Sequence, residues 1–363
     1  MQLRRSKQVT AVGGAVVALA LSVAACSSSS SSSPPSSGGS GSTSGSGSGS
    51  GTLNGAGSTF QLTFQQAAIS SFKSVDPGIT VNYNGSGSGA GRTALASGTV
   101  NFAGSDSTIP PTEQSSFKGT VLYFPVLIGP ITMSYNLPGV TSLKLTPAVI
   151  AAIFQGKIKA WNDPAIKSVN PGVSLPSTAI TLAVRSDSSG TTQNFSLFLE
   201  KAAGSAWTLG SSSIIKWPST AHAASGNGGV AQVIKSTPGA IGYVDYSTAK
   251  ASSLTFASVK NKSGAYVAPS PTSASAAAGA VTVKPDLTFH AVWASGANAY
   301  PITYQTWDLV YEKQPNANAA KLLQSYLGYL LGDGQQLLTQ LNYAPLPASL
   351  DSMAKAQLSK ITS

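Results

Sequence analysis

Ile180-Thr-Leu-Ala-Val-Arg185-Ser-Asp-Ser-Ser189-Gly-Thr-Thr192 is an apolar run that breaks into a polar turn and then a glycine flanked by hydroxyls. Beyond it, Phe195, Leu197, Phe198 and Leu199 recur at helical spacing. The pattern predicts a buried strand over 180–184 that hands over to a helix at Ser189-Gly190-Thr191. The first amides of a helix have no internal partner, and the helix dipole makes that end favourable to an anion. Gly190 lets a ligand approach the backbone. Arg185 adds a permanent charge with forked donors suited to phosphate or carboxylate. A serine or threonine at a helix start is also an ordinary cap, so these residues alone leave a cap and an anion site both open.

Two more corners of this kind lie upstream. Thr52 to Phe60 reads as a strand, a glycine turn and the start of a helix whose face is Phe60, Leu62, Phe64, Ala67, Ala68, Ile69 and Phe72. Gly55-Ala-Gly57 invites a dinucleotide fingerprint, but Phe60 stands where the third glycine belongs. A strand over 79–83 follows the Asp76-Pro77-Gly78 turn and runs into the glycine cluster 84–91, where backbone must pass close to something. A helix over 92–96 is expected next. Gly98 to Asp106 then reads as a short strand ending on a carboxylate, and Asp106 serves equally as a cap for Thr108 onward.

Val121 to Ser134 is long, apolar and β-branched, as a strand crossing between two lobes would be. Thr146-Pro147 begins a helix that ends near Gly156, and Trp161 to Pro164 is a turn. Gly226-Asn-Gly-Gly229 opens another helix, and Pro238-Gly239 turns into a strand over 240–246. Trp293 and residues 300–311 read as further strands. Residues 319–331 and 335–341 read as amphipathic helices. Helices alternating with short strands indicate an α/β architecture.

The ends are of a different character. Arg4, Arg5 and Lys7 followed by the apolar stretch 9–25 form a signal peptide over 1–25. It closes on Val23-Ala-Ala-Cys26, which resembles the cleavage box of bacterial lipoproteins, a resemblance that implies Cys26 becomes a lipidated first residue. The stretch 26–51 is nearly all Ser and Gly, a flexible tether with a mean span of roughly 25–30 Å. With one cysteine and two histidines, His222 and His290, no disulfide, metal site or cofactor is expected. The formal charge of +10 falls to +7 without the three N-terminal cations. The remaining lysines are scattered, which argues against nucleic acid.

Taken together, Gly55-Ala-Gly-Ser-Thr59-Phe60, Gly85 to Gly91, Thr99 to Asp106 and Arg185-Ser-Asp-Ser-Ser-Gly-Thr191 resemble the substrate-binding lipoproteins of bacterial phosphate ABC importers, the Pst-system phosphate-binding proteins. Leu145 to Gly156, Trp161-Asn-Asp-Pro164 and Pro238 to Tyr246 extend the resemblance in order over the mature chain. It implies a two-lobed periplasmic-binding-protein fold of type II, with two hinge crossovers and the ligand in the interlobe cleft. Lobe one would comprise 52–126 and 295–363, and lobe two 127–294. By position, Thr59, the Phe60 amide, Ser88, Arg185, Ser189, Gly190 and Thr191 would donate to phosphate. Asp106 would accept its proton, with Ser58 and Asp187 in support. Implied partners are inorganic phosphate, the subunits of an ABC permease and, through the lipid on Cys26, the outer face of the cell membrane. The protein would be a monomer and no enzyme. Asn101, Ser188 and Gly228 depart from the commoner family text without removing a proposed contact.

Asp106 gives the implication its chemistry. A carboxylate beside an anion is repulsive unless a proton lies between them. Hydrogen phosphate carries one, and sulfate at neutral pH does not. Facing sulfate, a buried carboxylate costs several kcal/mol, or about three decades of affinity. Two alternatives stand beside phosphate capture. One is a binder of sulfate or molybdate. The other is a phosphatase or hydrolase, which would need a base next to a serine.

Overall fold

The computed structural model describes residues 49–363. The expected signal peptide, Cys26 and most of the tether lie outside the described residues. The first part of the chain runs β1 (Gly51–Gly57), α1 (Leu62–Val75), β2 (Ile79–Asn84), α2 (Ser88–Ser97), β3 (Phe102–Ser105) and the long β4 (Val121–Tyr135). Then come β5 (Lys144–Leu145), α3 (Pro147–Phe154), α4 (Pro164–Ser168), β6 (Thr181–Arg185), α5 (Gly190–Ala203), β7 (His222–Ala224), α6 (Gly226–Ser236), β8 (Ala240–Asp245) and α7 (Tyr246–Ala251). The short β9 (Thr255–Phe256), β10 (Ser258–Lys260) and β11 (Tyr266–Val267) precede α8 (Pro271–Ala278), β12 (Thr303–Tyr311), α9 (Ala317–Leu331) and α10 (Ala348–Gln357).

One strand joins the two halves. The large sheet runs β2-β1-β3-β12-β4-β8-β6-β7, with β9 also on β4. The first part of β4, Val121 to Pro130, pairs antiparallel with β12, and Ile131 to Tyr135 pairs with β8. Fifteen residues exceed what one small sheet needs, so the surplus carries the chain from one half to the other. Every β4 residue from Phe124 to Tyr135 is buried, which is why the stretch is apolar without alternation. The return passes along the first half before β12 begins. Trp307 Nε1 donates to Leu287 O at 3.0 Å, Phe289 packs on Trp307, and the Ala291 amide reaches Gln305 Oε1 at 3.1 Å.

Local chemistry explains most boundaries. Thr146 Oγ1 accepts from the Val149 amide at 3.3 Å, with Pro147 in the first turn of α3. Asp163 and Asp245 cap α4 and α7 in the same way. The glycine cluster is not loop up to Gly91, as expected, because α2 already begins at Ser88. A Cβ on Gly91 would stand 2.5 Å from Gly57 Cα and 2.6 Å from Ala56 O, so this helix can lie on β1 only with glycine at 91. Trp293 is in no strand. It sits at φ +60°, and its amide donates to Pro301 O at 2.8 Å, closing a turn. Residues 335–341 are likewise no α-helix but a 3₁₀ turn over Asp333–Leu337 followed by further turns. Gln335 donates there to Val126 O and Leu330 O, which ties the turn to β4 and to the end of α9.

Candidate functional site

Asp106 leaves the end of β3 and is 1% exposed. Ser58, just past β1, donates its hydroxyl to Asp106 Oδ1. Ser88, the first residue of α2, donates to Oδ2 at 3.4 Å and accepts from the Asp106 amide at 3.2 Å. No lysine or arginine makes a salt bridge with Asp106 among the described residues. Burial pushes its carboxyl up to about 6, against the pull of Ser58, Thr306, Arg185 and Ser88. At neutral pH the group is therefore mostly a carboxylate, within reach of protonation. Arg92 holds the backbone behind it. The guanidinium pairs with Glu113 at 2.7 and 2.9 Å and donates to Ser105 Oγ at 3.2 Å and Ser107 Oγ at 2.9 Å, one residue either side of Asp106.

The other wall is the stretch quoted first. Arg185 ends β6, is 5% exposed, and clasps Asp187 with Nε at 2.7 Å and with its second terminal nitrogen. The remaining nitrogen donates to Asn227 Oδ1 at 3.2 Å and Thr191 Oγ1 at 3.5 Å. Burial raises the Asp187 carboxyl, but Arg185 and the Gly226 amide overcome this and hold it below the ordinary range. Arg185 and Asp187 together are thus near neutral. Tyr243 accepts from the Arg185 amide at 3.1 Å and shares a 2.7 Å hydrogen bond with Thr192 Oγ1, fixing the strand end to the helix start.

The two walls touch. A Cβ on Gly190 would lie 2.5 Å from Ser88 Oγ and 2.6 Å from Asp106 Cβ. Asn194 donates to Asp106 O at 2.6 Å, the Gly89 amide to Ser188 O at 3.0 Å, and the Asn227 amide to Thr59 Oγ1 at 3.3 Å. The helix start of α5 is therefore aimed at a buried carboxylate rather than at solvent.

Ser58, Thr59, Ser88, Asp106, Arg185, Asp187, Gly190 and Thr191 thus converge on this contact. Two expected donors are engaged differently. Ser189 is the cap of α5: its hydroxyl accepts from the Thr192 amide at 3.1 Å, and its own amide donates to Ser213 O at 2.9 Å. The Phe60 amide lies 3.1 Å from Ser58 Oγ, while its ring is buried and stacked on Tyr304 at 3.9 Å. Asn194, Asn227 and Thr306 were not legible as site residues. Asn227 was marked only as the opening of a helix, and an isolated asparagine or threonine carries no spacing signal.

Comparison with known proteins agrees with this architecture. The profile of the PBP superfamily domain matches residues 42–333. The phosphate-binding protein PstS of Pasteurella multocida is 34% identical over 84% of this chain and 89% of its own. Phosphate-binding protein PstS 3 of Mycobacterium leprae is 33% identical over 83% and 84%. Among solved structures, a phosphate-binding protein from Stenotrophomonas maltophilia superposes with a TM-score of 0.67 at 19% identity, covering 85% of this chain and 94% of that one. A high-affinity periplasmic phosphate-binding protein solved with phosphate gives 0.70 at 22% over 85% and 94%. The structures speak for the two-lobed fold. With identity above 30% over most of both sequences, the chain belongs to the PstS family of phosphate-binding proteins within the PBP superfamily.

Proposed function

We propose that this protein captures inorganic phosphate outside the cytoplasm and delivers it to an ABC-type import permease. The observation that carries the reading is Asp106, a buried acid that no lysine neutralises, ringed by hydroxyls, met by Gly190 and within the field of Arg185. Because Arg185 already pairs with Asp187, the ligand is held by directed donors rather than by net positive charge. Selection then follows the proton that the ligand shares with Asp106. Thr59, the Phe60 amide, Ser88, Arg185, Ser189, Gly190 and Thr191 are assigned as donors. The Phe60 amide and the Ser88 hydroxyl must exchange their present partners to serve, whereas the Ser189 hydroxyl accepts from Thr192 and keeps its own hydrogen to donate.

We assign lobe one to 52–126 plus 295–363 and lobe two to 127–294, with opening about the β4 crossing and the return segment that precedes β12. Cys26 is assigned as the lipid attachment point, and the protein as a monomer at the outer face of the membrane. Among the described residues no helix is long and apolar enough to cross a membrane. We assign binding without turnover. Both histidines are exposed, and neither hydrogen-bonds a serine of the cluster. Calorimetry on phosphate-stripped protein checks the reading: phosphate binds and sulfate is weaker by about a thousandfold. Equal binding of the two, or none of phosphate, contradicts it.

A further inference from the structure

The start of α1 buries two glutamines, Gln61 just before the helix and Gln65 within it, where apolar residues would be buried at lower cost. Their hydrogen bonds form a directed chain. Tyr326 donates its hydroxyl to Gln65 Oε1 at 2.6 Å. Gln65 Nε2 donates to the buried Asp308 carboxyl at 3.0 and 3.3 Å and to Gln61 Oε1 at 2.7 Å. Gln61 Nε2 donates in turn to Trp307 O at 3.2 Å and to Thr306 Oγ1 at 2.8 Å. The direction is forced at both ends. A carbonyl oxygen only accepts, so Trp307 O requires the NH₂ end of Gln61, and Gln65 presents a donor to the other end.

Thr306 is the link to the site. Trp307 is in register with Ser105 across β12 and β3, and Thr306 and Asp106 are the next residues beyond that pair. The Thr306 side chain is fully buried, and its hydroxyl is among the groups that draw the Asp106 carboxyl down against burial. Since Oγ1 already accepts from Gln61, its single hydrogen is free to turn toward the neighbouring Asp106 carboxyl. We propose that Thr306 and Gln61 are positioning residues for anion selectivity: by committing the Thr306 hydrogen to Asp106, they keep that group an acceptor toward the ligand. The proposal rests on the phosphate reading above. It adds that discrimination is set from behind the carboxylate, by residues remote from the anion.

The test is Thr306→Val, which keeps shape and removes the hydroxyl, with Thr306→Ser as the conservative rescue and Gln61→Met as a second break in the chain. Calorimetry at neutral pH would use phosphate, arsenate and sulfate. Arsenate retains a proton at that pH, as phosphate does. Thr306→Val is expected to weaken phosphate and arsenate together by about tenfold, the size of one hydrogen bond to a charged group. Sulfate affinity holds or rises, because Asp106 is more readily neutral. Thr306→Ser returns the wild-type ratio, and Gln61→Met shows the same pattern at smaller size. Equal loss for all three anions means a merely structural role and overturns the proposal, as does a Thr306→Val protein with wild-type ratios. A wild-type protein that binds no phosphate overturns the functional reading instead.

Discussion

Arg185→Met is expected to lower phosphate affinity by about a thousandfold or more and to destabilise the protein by roughly 3 kcal/mol. The side chain of Arg185 is 1% exposed and that of Asp187 16%. Removing the cation leaves Asp187 facing the site without its partner, in a place where burial already acts to raise it. Two effects follow, and they separate. The double variant Arg185→Met with Asp187→Asn removes the orphaned charge, so thermal stability returns toward wild type. Phosphate affinity does not return, because the forked donor is still missing. Melting curves and calorimetry on the single and double variants read the two losses independently. If the double variant regained affinity, the role of Arg185 would be to neutralise Asp187 and not to hold the anion.

Gly190→Val is expected to weaken phosphate by at least about a hundredfold while leaving each lobe folded. Its Cβ would meet Ser88 Oγ at 2.5 Å and Asp106 Cβ at 2.6 Å, inside any real contact distance. Gly190 is not at positive φ, so the substitution brings no backbone strain of its own. The clash lies between the two walls and is relieved by separating them. Small-angle scattering with saturating phosphate should therefore show the variant more extended than wild type. A compact variant with wild-type affinity would mean that the walls need not meet around the ligand.

Much of this was legible in the sequence, for reasons that can be named. The corner at Arg185 to Thr192 announced itself because an apolar run, a glycine and a helical repeat follow in one short stretch. The long β4 was legible because burial on both faces removes alternation. Asp106 was less clear. A lone aspartate after a strand is ambiguous between cap and acceptor, and only the absence of a helix at Thr108 together with its hydroxyl neighbours settled its surroundings. Helix α8 escaped notice because its serines and alanines form no apolar stripe, although Ala274 and Ala277 are fully buried. Asn227, Asn194 and Thr306 act through partners 42, 88 and 245 positions away or comparably distant, and no local pattern reports that kind of contact. The glycine cluster was recognised as a place of close approach but read as loop, since two of its glycines, Gly89 and Gly91, are the contact surface of a helix.

The central claim is that a charged Asp106 recognises a proton on the guest. It is tested most directly by measuring phosphate and sulfate affinities of wild type and Asp106→Asn across the range in which the carboxyl titrates, around a pH of about 6. Above that pH, the wild type should favour phosphate strongly, and its preference should shrink as Asp106 takes up a proton and can donate to sulfate. Asp106→Asn, whose amide can donate at any pH, should show a small preference that does not change through that range. A variant that discriminates as sharply as wild type, with the same pH profile, would contradict the account.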